Sequence, residues 1–225
     1  MDFSSHSSIN LTTSSTSISI NILQINLART RAASYKLQNS IVNFNSDIIL
    51  MQEPYSRAEK IQGFPQSCTI FPSKTNKAAI AIVNKNLKPA IIASKKYTVA
   101  VKLQTGQNPT TFISAYNSPY ANIQETLQEL QEIITSLKGE SIIIGADLNG
   151  HHTMWGYRDI DSTGERILEF LLANNLFIAN NPDAPPTFER GIFKGWPDFT
   201  ISTQDIISKF AKWEVSEEPS LSDHK

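Results

Sequence analysis

The chain has 225 residues, with 20 Lys and Arg against 21 Asp and Glu and 40% hydrophobic side chains. That length suffices for one sizeable core, and a formal charge of −1 excludes a histone-like protein that coats nucleic acid wholesale. A single cysteine, Cys68, excludes a disulfide scaffold or a cysteine-built zinc site, and no run approaches the ~18 apolar residues of a membrane span.

Residues 1–17 are mostly Ser and Thr, without a hydrophobic period or an Arg. They read as a disordered tail or a linker from a larger protein, with neither a secretory signal nor a transit peptide expected, which leaves 18–225 as the folded domain. Residues 18–27 alternate apolar and polar but change phase at Ile22 and Leu23, the pattern of a strand with a bulge. Leu37, Ile41 and Phe44 recur at helical spacing within 31–45, and Asp47 opens a short apolar strand, DIILMQE. From Cys68 to Tyr116 the segments TIFP, AAIAIV, AIIA, TVAVKL and TTFISAY have the turn spacing of antiparallel strands. An amphipathic helix is predicted over 122–138, stopped by Gly139, then a buried strand SIIIGAD and a helix over 165–174. Short strands at LFIAN, DFTIS and AKWEV complete the chain. The alternation predicts an α/β fold: a four-layered sandwich of two packed mixed β-sheets flanked by helices.

Polar residues end the buried strands. ILQIN ends at Asn26, IILMQE at Glu53, FISAY at Tyr116, and IIIGADLN at Asp147 and Asn149. Ligands of open α/β sheets bind beyond the carboxyl ends of the strands, so these side chains are expected to converge on one rim. Oxygen donors without thiolates suit Mg²⁺ or Mn²⁺, and a hard cation with Asp, Asn, Tyr and His makes a set for phosphodiester cleavage. Near the C-terminus, Ser222, Asp223 and His224 follow a short strand opened by Asp198, which would orient the imidazole as a phosphate-binding cation or proton donor.

The ordered set QIN, QEP, SAY, GADLN, PDF and SDH resembles the exonuclease–endonuclease–phosphatase superfamily across 18–225. Within it, ADLNGHHTMWG followed by a helix and PPTF is most similar to the endonuclease domains of non-LTR retrotransposon polyproteins. The resemblance implies that Glu53, helped by Asn26 and Asp223, holds the metal. It implies that Asp147 activates or orients the attacking water, that Asn149 binds the scissile phosphate, and that Tyr116 hydrogen-bonds that phosphate. His224, oriented by Asp198, would stabilise the transition state, with Ser222 and Thr187 as supporting contacts. The implied product is a nick in double-stranded DNA with a free 3′-hydroxyl that primes a reverse transcriptase domain of the same polyprotein. The domain is expected to be a monomer that acts in the nucleus after synthesis in the cytoplasm. Two features depart from the family pattern: the chain ends one residue after His224, which predicts a weakly held imidazole, and Asp198 follows Pro197.

Other residues carry open readings. Arg29 and Arg31 either meet DNA phosphates or are solvated helix-start residues. Trp196 and Phe193, in GIFKGWP, are expected to reach a DNA groove, with Trp196 as a substrate contact; packing on the end of the sandwich is the alternative. Seven lysines between Lys74 and Lys102 form either a DNA-facing edge or protection for edge strands. His151 and His152 point to opposite faces if extended, which fits packing with Trp155 better than shared metal ligation. The rival functions are an abasic-site repair endonuclease or another phosphodiesterase of the superfamily, and an inactive DNA-binding fragment of an element.

Overall fold

A computed structural model describes residues 5–12, 17–105 and 108–225, which build two six-stranded sheets. The chain opens with Ser5–Thr12 (β1), Ser17–Asn26 (β2), Arg31–Asn43 (α1), Ile48–Gln52 (β3), the small ribbon Ser56–Arg57 (β4) and Lys60–Ile61 (β5), Thr69–Pro72 (β6) and Ala78–Ile82 (β7). The middle supplies Ala90–Ser94 (β8), Thr98–Gln104 (β9), Pro109–Tyr116 (β10), Ile123–Ser136 (α2) and Ser141–Asp147 (β11). Ser162–Ala173 (α3), Leu176–Ile178 (β12), the hairpin Phe188–Arg190 (β13) and Phe193–Gly195 (β14), Asp198–Thr203 (β15), Gln204–Ile207 (α4) and Phe210–Val215 (β16) follow.

One sheet runs β16-β1-β2-β3-β7-β6 and the other β12-β15-β11-β10-β9-β8. Each is mixed, with one parallel pair, β2–β3 or β10–β11, among antiparallel neighbours. The chain thus forms the four-layered sandwich that the residue pattern predicts, and three separate cores hold it together. Ile20, Ile22, Ile48, Leu50, Val101 and Phe112 interdigitate between the sheets. Leu23, Ile25, Ile49 and Met51 pack against Leu37 and Ile41 of α1 on the outer face of the first sheet. Leu127 and Leu130 of α2 and Ile167 and Leu171 of α3 cover the outer face of the second. Each fully buried Leu or Ile contributes about 1.5–3 kcal/mol relative to exposure.

Two expectations are corrected. The phase change at Ile22 and Leu23 is no bulge: β2 pairs with β1 in continuous register, and the two side chains enter different cores on opposite faces of the sheet. A strand covered on both faces loses its apolar–polar alternation without any irregularity. The supposed tail also differs, because Ser5–Thr12 forms β1, paired antiparallel with both β2 and β16. Its Ser and Thr content hid the two-residue period at Ile9 and Leu11. Residues 1–4 and 13–16, also assigned to that tail, lie outside the described residues. Among the described residues no helix is long and apolar enough to cross a membrane.

Towards one end of the sandwich the space between the sheets turns polar. Gln52 Nε2 donates to Ser114 Oγ (3.1 Å) and Gly145 O (3.0 Å), and Gln24 Nε2 donates to Ala146 O (3.2 Å). Thr200 Oγ1 donates to Gln24 Oε1 at 3.0 Å. The sheets approach closely here: a Cβ on Gly145 would lie 2.7 Å from Leu50 Cδ1. These buried, bonded groups tie the two sheets together immediately beneath the polar rim.

Candidate active site

Asn26 ends β2, Glu53 follows β3, and Tyr116 and Asp147 end the parallel pair β10–β11 directly opposite one another. Asp198 instead begins β15, which runs antiparallel to β11 and so brings Asp198 opposite Asp147. Pro197 costs nothing at this strand start, because it needs no N–H there and its carbonyl accepts Leu148 N at 3.1 Å.

His224 is buried and firmly placed, contrary to the expectation of a weakly held imidazole. It bridges to Phe188 of β13, its N–H donates to Ser222 Oγ (3.1 Å), and its carbonyl accepts from Ser220 Oγ (2.5 Å). Lys225 N donates to Thr187 O at 2.7 Å, and the Phe188 ring meets the imidazole edge-on with centroids 5.0 Å apart. Lateral pairing with β13 holds the motif.

These elements enclose a cleft of about 470 Å³ lined by Asn26, Arg29, Glu53, Tyr116, Asp147, Asn149, Asp223 and His224. Asp147 accepts from Asn26 Nδ2 (2.6 Å, Oδ2) and from Asn149 Nδ2 (2.5 Å, Oδ1). His224 shares a hydrogen bond with Asp198 through Nδ1 (3.0 Å) and turns Nε2 towards Asp147 Oδ2 at 3.9 Å. Burial, then the neighbouring Asp198 charge, raises the Asp147 pKa. Burial works against charge on His224, but the Asp198 and Asp147 carboxylates outweigh it and hold the imidazolium to about pH 9. Burial, then the Glu53 charge, raises the Tyr116 phenol, which stays a neutral donor.

The backbone at this rim is strained. Ala28, Arg29, Glu53 and Asn149 all have left-handed conformations, with φ between 45° and 55°. Asn adopts this region readily, whereas for the other three the cost is on the order of 1–3 kcal/mol each. The loop beyond Asn149 is clamped by Asp161, whose Oδ1 accepts from His151 N (3.1 Å) and Gly164 N (2.6 Å). His151 bonds Asp159, and His152 accepts from Met154 N and lies against Trp155. Both histidines therefore shape this loop.

Four predicted contacts lie behind the cleft wall. Asp198 sits beneath His224, with its Oδ1 buried and unpartnered. Thr187 is fully buried and meets the C-terminal segment through its carbonyl. Ser222 is a strut whose Oγ donates to Asn26 O at 2.7 Å. Trp196 is a correction: its indole packs against Tyr157 and donates to Ala184 O at 3.1 Å, away from the cleft. The indole's apolar surface is used by the outer core, whereas Phe193 and Ile192 at the hairpin tip are exposed. Tyr120, Phe188 and Arg190 also line the cleft and were not assigned from the sequence. They stand on connecting segments or a short hairpin, where no period marks them. Of the lysines, Lys95, Lys96 and Lys102 pair with acids on or just after α2, while Lys77 Nζ lies over the Tyr97 and Tyr116 rings.

A profile described as endonuclease-reverse transcriptase matches residues 110–225, more than half of the chain. The chain belongs to the endonuclease–reverse transcriptase family. Its fold superimposes with a TM-score of 0.81 on the "Endonuclease domain of TRAS1, a telomere-specific non-LTR retrotransposon", at 27% identity over 90% of this chain and 94% of that one. A 115 kDa protein in type-1 retrotransposable element R1DM of Drosophila melanogaster is 24% identical over 218 residues; the chain spans 21% of that protein's length. The catalytic domain of Xenopus laevis APE2 shares the fold alone, at a TM-score of 0.66 and 13% identity over 90% of this chain and 88% of that one. This endonuclease–reverse transcriptase family member is thus a non-LTR retrotransposon endonuclease domain with the exonuclease–endonuclease–phosphatase fold.

Nucleases of this fold generally depend on a divalent metal, and the donor set here fits a hard one. Asp147, Asp198 and His224 present three donor atoms within 4.8 Å of one another. Glu53, Asn26 and Asp223 line the same cleft with oxygen atoms, and Cys68 is not among the lining residues. This oxygen-rich set suits a hard cation.

Proposed function

We propose that this domain is a Mg²⁺-dependent endonuclease, with Mn²⁺ able to substitute. It nicks double-stranded DNA to leave a 3′-hydroxyl that primes a reverse transcriptase domain of the same polyprotein. The carrying observation is the convergence of Glu53, Asn26, Asp147, Asn149, Tyr116 and His224 from both sheets on one cleft. Glu53, Asn26 and Asp223 would hold the cation, which supplies positive charge against the developing negative charge of the phosphate.

The chain's own groups supply the remainder. In its ionised form, made more basic by burial, the Asp147 carboxylate accepts the proton of the attacking water, and Asn26 and Asn149 fix its two oxygens. Protonated His224 donates to a phosphate oxygen with Tyr116 beside it, while Asp198 keeps the imidazole oriented. The water oxygen bonds to phosphorus, the bond to the 3′ oxygen breaks, and that oxygen takes up a proton from solvent while the proton held by Asp147 returns to solvent. The domain is a monomer in isolation and acts on chromosomal DNA in the nucleus.

The test is nicking of intact supercoiled plasmid in Mg²⁺, Mn²⁺ and EDTA, followed by extension of the nicks with a DNA polymerase. Metal-dependent, directly extendable nicks are expected, lost in Asp147→Ala and His224→Ala. A strong preference for an abasic oligonucleotide over intact duplex would overturn the assignment. Metal-independent activity, or none from the wild type, would overturn it as well.

A further inference from the structure

Arg29 holds Glu53 twice. Its backbone N donates to Glu53 O at 2.8 Å, and its guanidinium lies 2.5 Å from Glu53 Oε1. The turn that aims it is fixed on every side. Ala28 N donates to Asn26 Oδ1 at 2.8 Å, Thr30 N donates to Leu27 O at 2.9 Å, and Thr30 Oγ1 donates to Leu221 O at 3.3 Å. Two successive left-handed non-glycine residues are kept in place to deliver this side chain to the cleft. The two partners differ in freedom: Glu53 is 17% exposed, whereas the Arg29 side chain is 60% exposed and can swing about its locked backbone.

We propose that Arg29 is a displaceable counter-ion. In the free cleft it neutralises Glu53; a divalent cation arriving at that carboxylate releases the guanidinium to a non-bridging oxygen of a DNA phosphate in the same cleft. This inference rests on the metal-dependent reading above. A carboxylate already paired with a guanidinium attracts a second cation less, and a guanidinium deprived of its carboxylate suits a phosphate in planar, forked geometry. Cation and DNA therefore bind with positive coupling that runs through one side chain, and the coupling is reciprocal.

Two binding measurements test this without turnover. Mn²⁺ affinity is measured by electron paramagnetic resonance on the DNA-free domain, and duplex affinity is measured with and without Ca²⁺. Both use wild type, Arg29→Asn and Arg29→Lys. Asn accepts the left-handed backbone, so the turn is kept, and Lys keeps the charge without the fork. Arg29→Asn is expected to bind Mn²⁺ about 5-fold more tightly, the size of one exposed ion pair, and to lose the Ca²⁺-dependent gain in duplex affinity; Arg29→Lys falls between. Wild-type Mn²⁺ affinity in Arg29→Asn, or an undiminished Ca²⁺-dependent gain, overturns the counter-ion role alone. A wild-type domain that binds no Mn²⁺ overturns both this role and the metal-dependent function.

Discussion

His224 Nδ1 and Asp198 Oδ2 lie 3.0 Å apart in a buried pair, with the opposite ring nitrogen turned to Asp147. The carboxylate sets the ring's orientation and favours its protonated form. Asp198→Asn keeps the shape and removes the charge, so the single-turnover nicking rate is expected to fall about 100-fold or more while duplex affinity barely changes. The His224 resonance, followed by NMR, should titrate well below about 9 in that variant, because the largest charge that raises it is gone. Unaltered nicking would contradict the role given to Asp198.

The same cluster predicts a pH-dependent stability in the metal-free domain. The folded pKa of His224 is raised from 6.5 to about 9, so its stabilisation is complete below pH 6.5 and fades as the pH rises through 9. Asp147 is also raised, from 3.8 to about 8, so its contribution is complete below pH 3.8 and is lost as the pH rises through about 8. The native state holds more protons than the unfolded chain throughout. The urea midpoint in EDTA is therefore expected to fall steadily from pH 5 to pH 9, and His224→Gln should flatten the upper part. A midpoint that rises with pH would refute the reading.

Gly164→Ala probes the loop that follows Asn149. The added Cβ would lie 1.9 Å from His151 O, a backbone atom that accepts from Asp161 N at 3.1 Å. The cost is expected to be about 3 kcal/mol, seen as a lower thermal midpoint, with nicking reduced further because Asn149 begins this loop. A wild-type midpoint would show that the loop relaxes freely.

Lys77 belongs to the cleft's surroundings: its backbone carbonyl accepts from Glu53 N at 2.8 Å and its ammonium lies over the Tyr97 and Tyr116 rings. Lys77→Ala should weaken duplex binding equally for all sequences and reduce the slope of log affinity against log salt by about 1. An unchanged slope would place Lys77 off the DNA path.

Much of the site was legible because strands announce where they stop. Asn26, Glu53, Tyr116 and Asp147 each end an apolar run, and parallel pairing carries such ends to one rim. Asp198 could be paired with His224 from its motif, although it begins its strand, because β15 is antiparallel. Tyr120, 98% exposed, and Arg190 were illegible: they stand on a connecting segment and a three-residue strand, where neither period nor burial constrains the sequence. Trp196 was open to two readings because an indole serves packing and stacking equally well, and only the tertiary fold decides which. β1 was missed for the opposite reason, since a Ser/Thr-rich composition outweighed a weak alternation.

Asn26 and Glu53 hang from one sheet, while Tyr116, Asp147 and Asp198 hang from the other. The cleft is therefore a gauge of how the two sheets slide on one another, with the Gln24, Gln52, Ser114 and Thr200 bonds acting as its detent. Slippage of about 1 Å along that seam would leave every strand, helix and core intact and still misalign the reacting groups, at a cost of about 100-fold in rate. In this domain catalytic failure and unfolding are separable events, and the first needs far less motion than the second.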